Sequence, residues 1–132
     1  MNLLFDTHLL LWTVENSPRL PKAAIRLIDD TNNELFFSAA SLWEYAIKYQ
    51  LIRDDMGVNP RLLRRSLLDN GYTEIHVTAE HAVAIDALPP IHKDPFDRLL
   101  IAQATVEGIT LLTVDKILSR YPGPVDETTV GG

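Results

Sequence analysis

The chain has 132 residues, which is enough for one domain with a sizeable core and leaves no room for a second. Its 46% apolar and 23% charged residues exclude a disordered chain, and its net charge of −6 argues against a protein that coats nucleic acid non-specifically. The absence of cysteine excludes disulfides and thiolate sites, and the lack of a basic N-terminal segment or a long apolar run predicts a cytoplasmic protein.

Strands and helices alternate along the predicted fold. In chain order the predicted elements are strand 2–5, helix 7–14, helix 22–30 opened by Pro21, strand 35–37, helix 41–50, helix 60–69, strand 73–77, helix 79–87, helix 95–107 and strand 109–114. The last helix has the clearest limits, because Pro95 suits a first helical position and Gly108 suits the residue after a helix. This alternation predicts one α/β domain with a central, mostly parallel sheet flanked by helices.

Four acidic residues are placed to meet at one edge of the predicted sheet. They lie near the junctions between strands and helices and are Asp6, Glu44, Asp97 and Asp115. Carboxylates brought within a few ångströms repel one another, so such a cluster persists only with raised pKa values or with a bound cation. Hard oxygen ligands suit Mg²⁺ or Mn²⁺, which predicts a metal site able to activate water for hydrolysis of a phosphodiester.

Each acid also has a structural explanation. Ser41 and Glu44 match a capping box, in which the glutamate returns to the amide of the cap residue. Asp94, directly before a proline, is typical of a helix N-cap, and Asp97 in the first turn would interact with the helix dipole by about 0.3–1 kcal/mol. The joint placement of all four acids favours a site, while Asp94 fits either a cap or a site residue.

Four segments carry a resemblance to a known family. They occur in the order LLFDTHLLLW (3–12), SAASLWE (38–44), DPFDRLLIAQA (94–104) and LLTVD (111–115). Together they resemble the successive motifs of PIN-domain ribonucleases, and in particular the VapC-type toxins of bacterial toxin–antitoxin pairs. The resemblance covers nearly the whole chain and implies a three-layer PIN-like fold, with residues 1–132 as a single PIN domain.

The resemblance also implies a catalytic site. It implies that Asp6, Glu44, Asp97 and Asp115 hold Mg²⁺ or Mn²⁺, and that activated water hydrolyses RNA as in a metal-dependent endoribonuclease. It gives Thr113 a supporting role, in which its hydroxyl orients the acids, although an ordinary strand residue explains this threonine as well. The implied partners are an RNA substrate, a second copy in a homodimer and a cognate antitoxin that covers the acidic edge.

Basic side chains near the acids are candidates for RNA contacts. These are Lys48, Lys93, Arg98 and Arg53, and Arg98 alternatively pairs with a neighbouring acid. A solvated helix face is favoured over an RNA-binding face for the arginines of helix 60–69, which are Arg61, Arg64 and Arg65.

Histidines and large aromatics near the proposed edge are expected to be structural. His8 stands where many PIN domains carry asparagine, and packing at the helix start is favoured for it. For His92, a solvated loop position is favoured over contact with substrate. A core position is favoured over a partner-binding one for Trp12, Trp43 and Tyr45.

A phospho-acceptor module of the receiver kind is the main alternative. It shares the size and acidity of this chain, an aspartate after the first strand and a lysine near the last, here Asp6 and Lys116. It would require paired acids after the first strand and a further aspartate ending a central strand, whereas Asp54 and Asp55 follow helical residues. A haloacid-dehalogenase-like phosphatase would require an aspartate at the position of His8.

Overall fold

A computed structural model describes residues 1–52, 57–116, 120–121 and 125–127 of the chain. The strands are β1 (Asn2–Phe5), β2 (Glu34–Ser38), β3 (Thr73–Ile75), β4 (Thr110–Thr113) and β5 (Val125–Glu127). The helices are α1 (Thr7–Val14), α2 (Lys22–Asp29), α3 (Ala39–Ile52), α4 (Pro60–Asp69), α5 (Ala79–Ala84) and α6 (Pro95–Glu107), and a 3₁₀ turn (Ile85–Ala87) extends α5. No helix in this described part of the chain is long and apolar enough to cross a membrane.

The five strands form one sheet in the order β3-β2-β1-β4-β5, and every pair is parallel. The chain builds the sheet outward from β1 to β3 and then returns to place β4 on the other side of β1. The strand order therefore reverses between β1 and β4, and the crevice outside their carboxyl ends is where such sheets bind ligands. The predicted sheet is confirmed, but β5 was not predicted, because its three residues carry a single apolar side chain.

Two apolar cores cover the two faces of the sheet. Successive residues of a strand point to opposite faces, so Leu3 and Phe5 join the core under α1, α2 and α4, whereas Leu4 packs under α6. All three side chains are fully buried, and each contributes about 1.5–3 kcal/mol to folding. This packing fixes the carboxyl ends of β1 and β4, which carry the candidate site.

Helix α3 begins at Ala39, two residues before its predicted start. The hydroxyl of Ser38 accepts a hydrogen bond from the amide of Ala40 at 3.0 Å, so the last residue of β2 stabilises this helix start. Ser41 therefore lies inside the helix, and the predicted capping box between Ser41 and Glu44 is wrong. Glu44 is thus left without the structural explanation that its sequence position suggested.

Helix α6 has the bounds that its sequence predicts. The Asp94 carboxylate accepts hydrogen bonds from the amides of Phe96 at 2.8 Å and Asp97 at 3.2 Å, which makes Asp94 the N-cap. Gly108 ends the helix with a φ of 68°, a left-handed conformation that favours glycine. The cap fixes the first turn of α6 and with it the position of Asp97.

Candidate active site

Asp6 directly follows β1 and is buried. One carboxylate oxygen accepts a hydrogen bond from the amide of Leu9 at 2.8 Å and so caps α1, and the other accepts one from the Thr113 hydroxyl. Burial raises the pKa of Asp6 above its ordinary value, although the hydrogen bonds from Thr113 and Leu9 act in the opposite direction. Asp6 is therefore a helix cap and a carboxylate of the crevice at once.

Thr113 connects the two central strands at the point where the strand order reverses. It is buried at the end of β4, and its hydroxyl donates to Asp6 while accepting a hydrogen bond from the amide of Asp115 at 2.9 Å. The hydrogen bond predicted for this hydroxyl is present. These two hydrogen bonds fix the position of the Asp6 carboxylate relative to the backbone of Asp115, although the two residues lie far apart in sequence.

Asp97 projects from the first turn of α6, and burial together with the neighbouring charges of Asp94, Glu44 and Asp6 raises its pKa to about 7. The interaction with His92 lowers the pKa but does not offset those effects. Asp97 therefore keeps its proton to a much higher pH than an ordinary aspartate in the metal-free protein. Such a raised carboxyl pKa in a crevice is typical of a functional site.

Glu44 lies one turn into α3, where its side chain is buried. One carboxylate oxygen forms an ion pair of 3.2 Å with the Lys48 ammonium group. Within the described residues, no group forms a hydrogen bond with the other oxygen, which is fully buried. A buried oxygen without a partner is costly unless a bound ion or water satisfies it, so Glu44 fits a ligand of a cation.

Thr7 and Ser41 fix the position of α3 against α1. Their hydroxyl oxygens lie 2.9 Å apart in a buried hydrogen bond. Each residue is close in sequence to an acid of the crevice, Thr7 to Asp6 and Ser41 to Glu44. The local sequence pattern predicts only a cap role for Ser41, because its contact with α1 depends on tertiary packing.

His92 faces the acids, and the predicted solvated position is wrong. Its Nε2 atom lies 3.3 Å from a carboxylate oxygen of Asp97 and 3.5 Å from one of Asp115, while its Nδ1 atom accepts a hydrogen bond from the amide of Asp94 at 3.0 Å. The candidate ligand atoms of His92, Asp97 and Asp115 lie within 4.8 Å of one another, a spacing that could hold a metal ion. The sequence signal available was a histidine two residues before the cap of α6.

Residues 3–124 of the chain match the family model of the PIN domain. The chain belongs to the PIN-domain family. It is 32% identical over 125 residues to "Ribonuclease VapC22" of Mycobacterium tuberculosis, and the match covers 92% of this chain and 95% of that protein.

Solved structures share the fold of this PIN domain. They include VapBC2 from Rickettsia felis bound to a promoter DNA fragment, with a TM-score of 0.69, 14% identity, and coverage of 96% of this chain and 98% of that one. A toxin–antitoxin complex from Klebsiella pneumoniae has a TM-score of 0.66, 19% identity, and coverage of 97% and 98%. DNA-bound VapBC from Salmonella typhimurium has a TM-score of 0.66, 15% identity, and coverage of 96% and 98%.

Because the chain belongs to the PIN-domain family, the receiver and phosphatase alternatives are rejected. The strand order agrees, since receiver-like sheets run 2-1-3-4-5, whereas this PIN domain runs 3-2-1-4-5. Asp54 and Asp55, whose sequence positions do not meet the requirement of a receiver module, lie outside the described residues.

The basic candidates of this PIN domain differ in their surroundings. Lys93 is exposed, and Lys48 is half-exposed beside Glu44. Arg98 donates hydrogen bonds to the carbonyl oxygens of Pro89, His92 and Ile85, so it holds the loop that carries His92. The structure therefore gives Arg98 a loop-stabilising position, and its contact with RNA stays a prediction.

The arginines of α4 and Arg53 are the remaining basic candidates. Arg61, Arg64 and Arg65 are exposed on α4, and Arg64 forms an ion pair with Glu74 at 2.7 Å. This agrees with the solvated helix face that the sequence favours. Arg53 lies outside the described residues.

Two side chains near the site differ from their predicted burial. Trp43 was predicted in the core, yet 62% of its surface is exposed, so that prediction is wrong. The buried face of α3 carries Ala40, Glu44 and Tyr45, and the helical repeat places Trp43 away from it. His8 is exposed on α1, which also differs from the expected packing role.

Proposed function

We propose that this chain is a Mg²⁺- or Mn²⁺-dependent endoribonuclease that acts as the toxin of a toxin–antitoxin pair. The observation that carries the proposal is the convergence of four acids and His92 where the strand order reverses. The 32%-identical relative carries the name of a ribonuclease, which supports RNA as the substrate. Hydrolysis of a phosphodiester is the reaction that an acidic, cation-binding crevice suits.

The residues that would hold the cation are Asp6, Glu44, Asp97 and Asp115. The donor set fits, because it consists of carboxylate oxygens and includes a buried oxygen of Glu44 without a hydrogen-bond partner in the described structure. When bound, a divalent cation supplies positive charge that activates water and stabilises negative charge developing on the phosphate. Mutual repulsion among the acids decreases at the same time, which favours the ionised form of Asp97.

The other polar groups position these acids. Thr113 and the amide of Leu9 fix the two oxygens of Asp6, so its carboxylate does not rotate. Because the Nδ1 atom of His92 accepts from the Asp94 amide, a neutral imidazole carries its proton on Nε2, facing Asp97 and Asp115. His92 is thus placed to hold a proton between those two carboxylates. Asp94 acts as the cap that orients this turn.

Lys48 and Lys93 are the proposed contacts for the RNA backbone. Lys48 lies one turn after Glu44 with its ammonium group 3.2 Å from the carboxylate, and Lys93 is exposed in the loop between His92 and Asp94. Both ammonium groups carry the positive charge that attracts the phosphates of RNA. Because the chain as a whole has a net charge of −6, we expect it to bind RNA at these positive groups beside the site.

The proposed assembly consists of a homodimer and a cognate antitoxin. Three solved structures with the same fold are described as VapBC or as a toxin–antitoxin complex, and this supports an antitoxin partner. We propose that the antitoxin covers the acidic crevice, that residues 1–132 form a single PIN domain and that the protein acts in the cytoplasm.

Cleavage of RNA by the purified chain tests the activity. We expect single-stranded RNA to be cut with Mg²⁺ or Mn²⁺ and to stay intact in EDTA. Asp97→Asn and Asp6→Asn should each reduce cleavage by more than roughly 100-fold, since a ligand of the cation is lost. Gel electrophoresis of end-labelled RNA measures the rate.

The matched control is Asp69→Asn, which makes the same chemical change on an exposed residue of α4. It should cleave RNA like the unmodified chain, and circular dichroism should show all variants folded. Undiminished cleavage by Asp97→Asn would overturn the assignment.

A further inference from the structure

An exposed tryptophan borders the acidic crevice. Trp43 directly precedes Glu44 in α3, and its ring contacts the ring of Phe96 edge-to-face, with centroids 5.1 Å apart and an interplanar angle of 72°. Phe96 in turn directly precedes Asp97 in α6. The aromatic pair therefore joins the two helices that carry two of the acids, and it lies beside them.

The exposure of Trp43 is unusual for this chain. None of the nine other aromatic side chains, all of which lie within the described residues, is exposed: four are partly buried and five are buried, namely Phe5, Phe37, Tyr45, Tyr72 and Tyr121. Leaving a tryptophan 62% exposed forgoes much of the stabilisation that its burial would provide. The contact with Phe96 also restricts the Trp43 ring, so the ring loses little further conformational entropy when a ligand stacks on it.

We propose that Trp43 is a stacking platform for an unpaired RNA base next to the scissile phosphate. This inference rests on the proposed ribonuclease function and adds a specificity-determining residue to it. Single-stranded RNA is recognised through bases stacked on aromatic side chains, with basic groups along the backbone. Lys48, half-exposed on the same helix and 3.2 Å from the Glu44 carboxylate, supplies such a group near the crevice.

A protein partner is the competing occupant of this surface. Ile47 and Leu51 are exposed and follow Trp43 at intervals of four residues, so the three side chains share one side of α3. RNA is favoured for Trp43 because its ring packs against Phe96, which directly precedes Asp97, and because Lys48 places a half-exposed ammonium group on the same helix, 3.2 Å from the Glu44 carboxylate.

Tryptophan fluorescence tests the contact directly. The chain contains two tryptophans, so Trp12→Phe leaves Trp43 as the single emitter, and adding Asp97→Asn prevents cleavage. We expect a mixed-sequence single-stranded RNA oligonucleotide, added with Mg²⁺, to quench this emission. The same strand annealed to its complement should quench it much less, because its bases are already stacked.

Binding affinity in the Asp97→Asn background separates stacking from apolar contact. Trp43→Ala should weaken binding of the single strand by roughly 5- to 150-fold, the range for one stacked base. Trp43→Phe should retain most of the affinity, whereas Trp43→Leu, which is apolar but not aromatic, should lose it as Trp43→Ala does. In the otherwise unmodified chain, Trp43→Ala should raise KM more than it lowers kcat.

The possible outcomes are distinguishable. If Trp43→Leu binds RNA like the unmodified residue, or if Trp43→Ala leaves the affinity unchanged, the stacking role is overturned while RNA cleavage by the unmodified chain still supports the proposed function. Should Trp43→Ala and Leu51→Ser both shift the chain to a smaller species in gel filtration without changing RNA affinity, the surface is a protein interface. A chain that neither binds nor cuts RNA overturns both proposals.

Discussion

Glu74 and Asp97 are carboxylates of similar exposure in opposite electrostatic settings. Their side chains are 12% and 18% exposed, respectively. Two hydrogen bonds from the Arg64 guanidinium, at 2.7 and 3.1 Å, hold the pKa of Glu74 below its ordinary value. Burial and neighbouring acids raise the pKa of Asp97 to about 7. Burial alone therefore does not decide how a carboxylate behaves in this fold.

The two positions differ in how far neighbouring groups stabilise the carboxylate charge. Glu74 lies on the edge strand β3, and its charge is compensated within the protein. Asp97 lies by the central crevice, where Asp6, Asp94 and Glu44 increase its repulsion. Such repulsion between neighbouring acids is typical of a site that binds a cation, because the bound cation offsets it.

Removal of the Thr113 hydroxyl is expected to have the largest effect within this comparison. Thr113→Val keeps the shape of the side chain but leaves one oxygen of buried Asp6 without its hydrogen bond. We expect RNA cleavage to fall by roughly 10- to 100-fold and the free energy of unfolding to fall by about 1–3 kcal/mol. Steady-state cleavage and urea denaturation measure the two effects. Thr113→Ser, which restores the hydroxyl, should recover most of the cleavage; failure to recover would contradict the positioning role.

Asp97→Asn is expected to stabilise the metal-free protein at alkaline pH. The pKa of Asp97 rises from 3.8 to about 7 on folding, so between these values the folded chain holds a proton that the unfolded chain has released. Stability therefore falls as the pH rises through this window, and the full cost is present above pH 7. Solvent screening reduces the effect, and we expect Asp97→Asn to add on the order of 1 kcal/mol at about pH 8.

Thermal unfolding in EDTA at a series of pH values measures this effect. The gain from Asp97→Asn should shrink as the pH is lowered and vanish near the ordinary aspartate pKa of 3.8. Asp69→Asn should show no such pH-dependent gain. An Asp97→Asn protein less stable than the unmodified chain at alkaline pH would show that Asp97 is already compensated, like Glu74.

Arg64→Ala is expected to have the smallest effect, because it removes compensation from the edge of the sheet and not from the crevice. Its guanidinium is exposed, and exposed ion pairs contribute little to stability. RNA cleavage should be unchanged, and the pKa of Glu74 should rise toward its ordinary value in an NMR titration. A large loss of cleavage would mean that the two regions are coupled, contrary to the comparison.

The sequence predicted the parts of this fold that local patterns determine. The bounds of α6 follow from Asp94, Pro95 and Gly108, whose preferences act within a turn. The acids after β1 and β4 converge because all the strands are parallel, a property that the alternation of elements already implied. Local rules and topology together therefore predicted most of the candidate site.

The remaining features depend on contacts between residues distant in sequence. His92 reaches the acids because Arg98 and the Tyr121 hydroxyl hold its loop, the latter 2.7 Å from the His92 amide. No pattern around His92 encodes the position of Tyr121. The large apolar ring of Trp43 predicts a core position, whereas the packing of α3 against the rest of the fold decides which face of that helix is buried.

The central claim is that the acids of the crevice converge because they bind a divalent cation, which offsets the repulsion that raises the pKa of Asp97. Thermal unfolding of the metal-free chain with increasing Mn²⁺ or Mg²⁺ tests it most directly. A cation that binds the folded state at 100 times its Kd adds about 2.7 kcal/mol to stability, so the midpoint should rise with cation concentration. We expect this rise in the unmodified chain and in Asp69→Asn, and little or none in Asp97→Asn. An unchanged midpoint in the unmodified chain, or an equal rise in Asp97→Asn, would contradict the account.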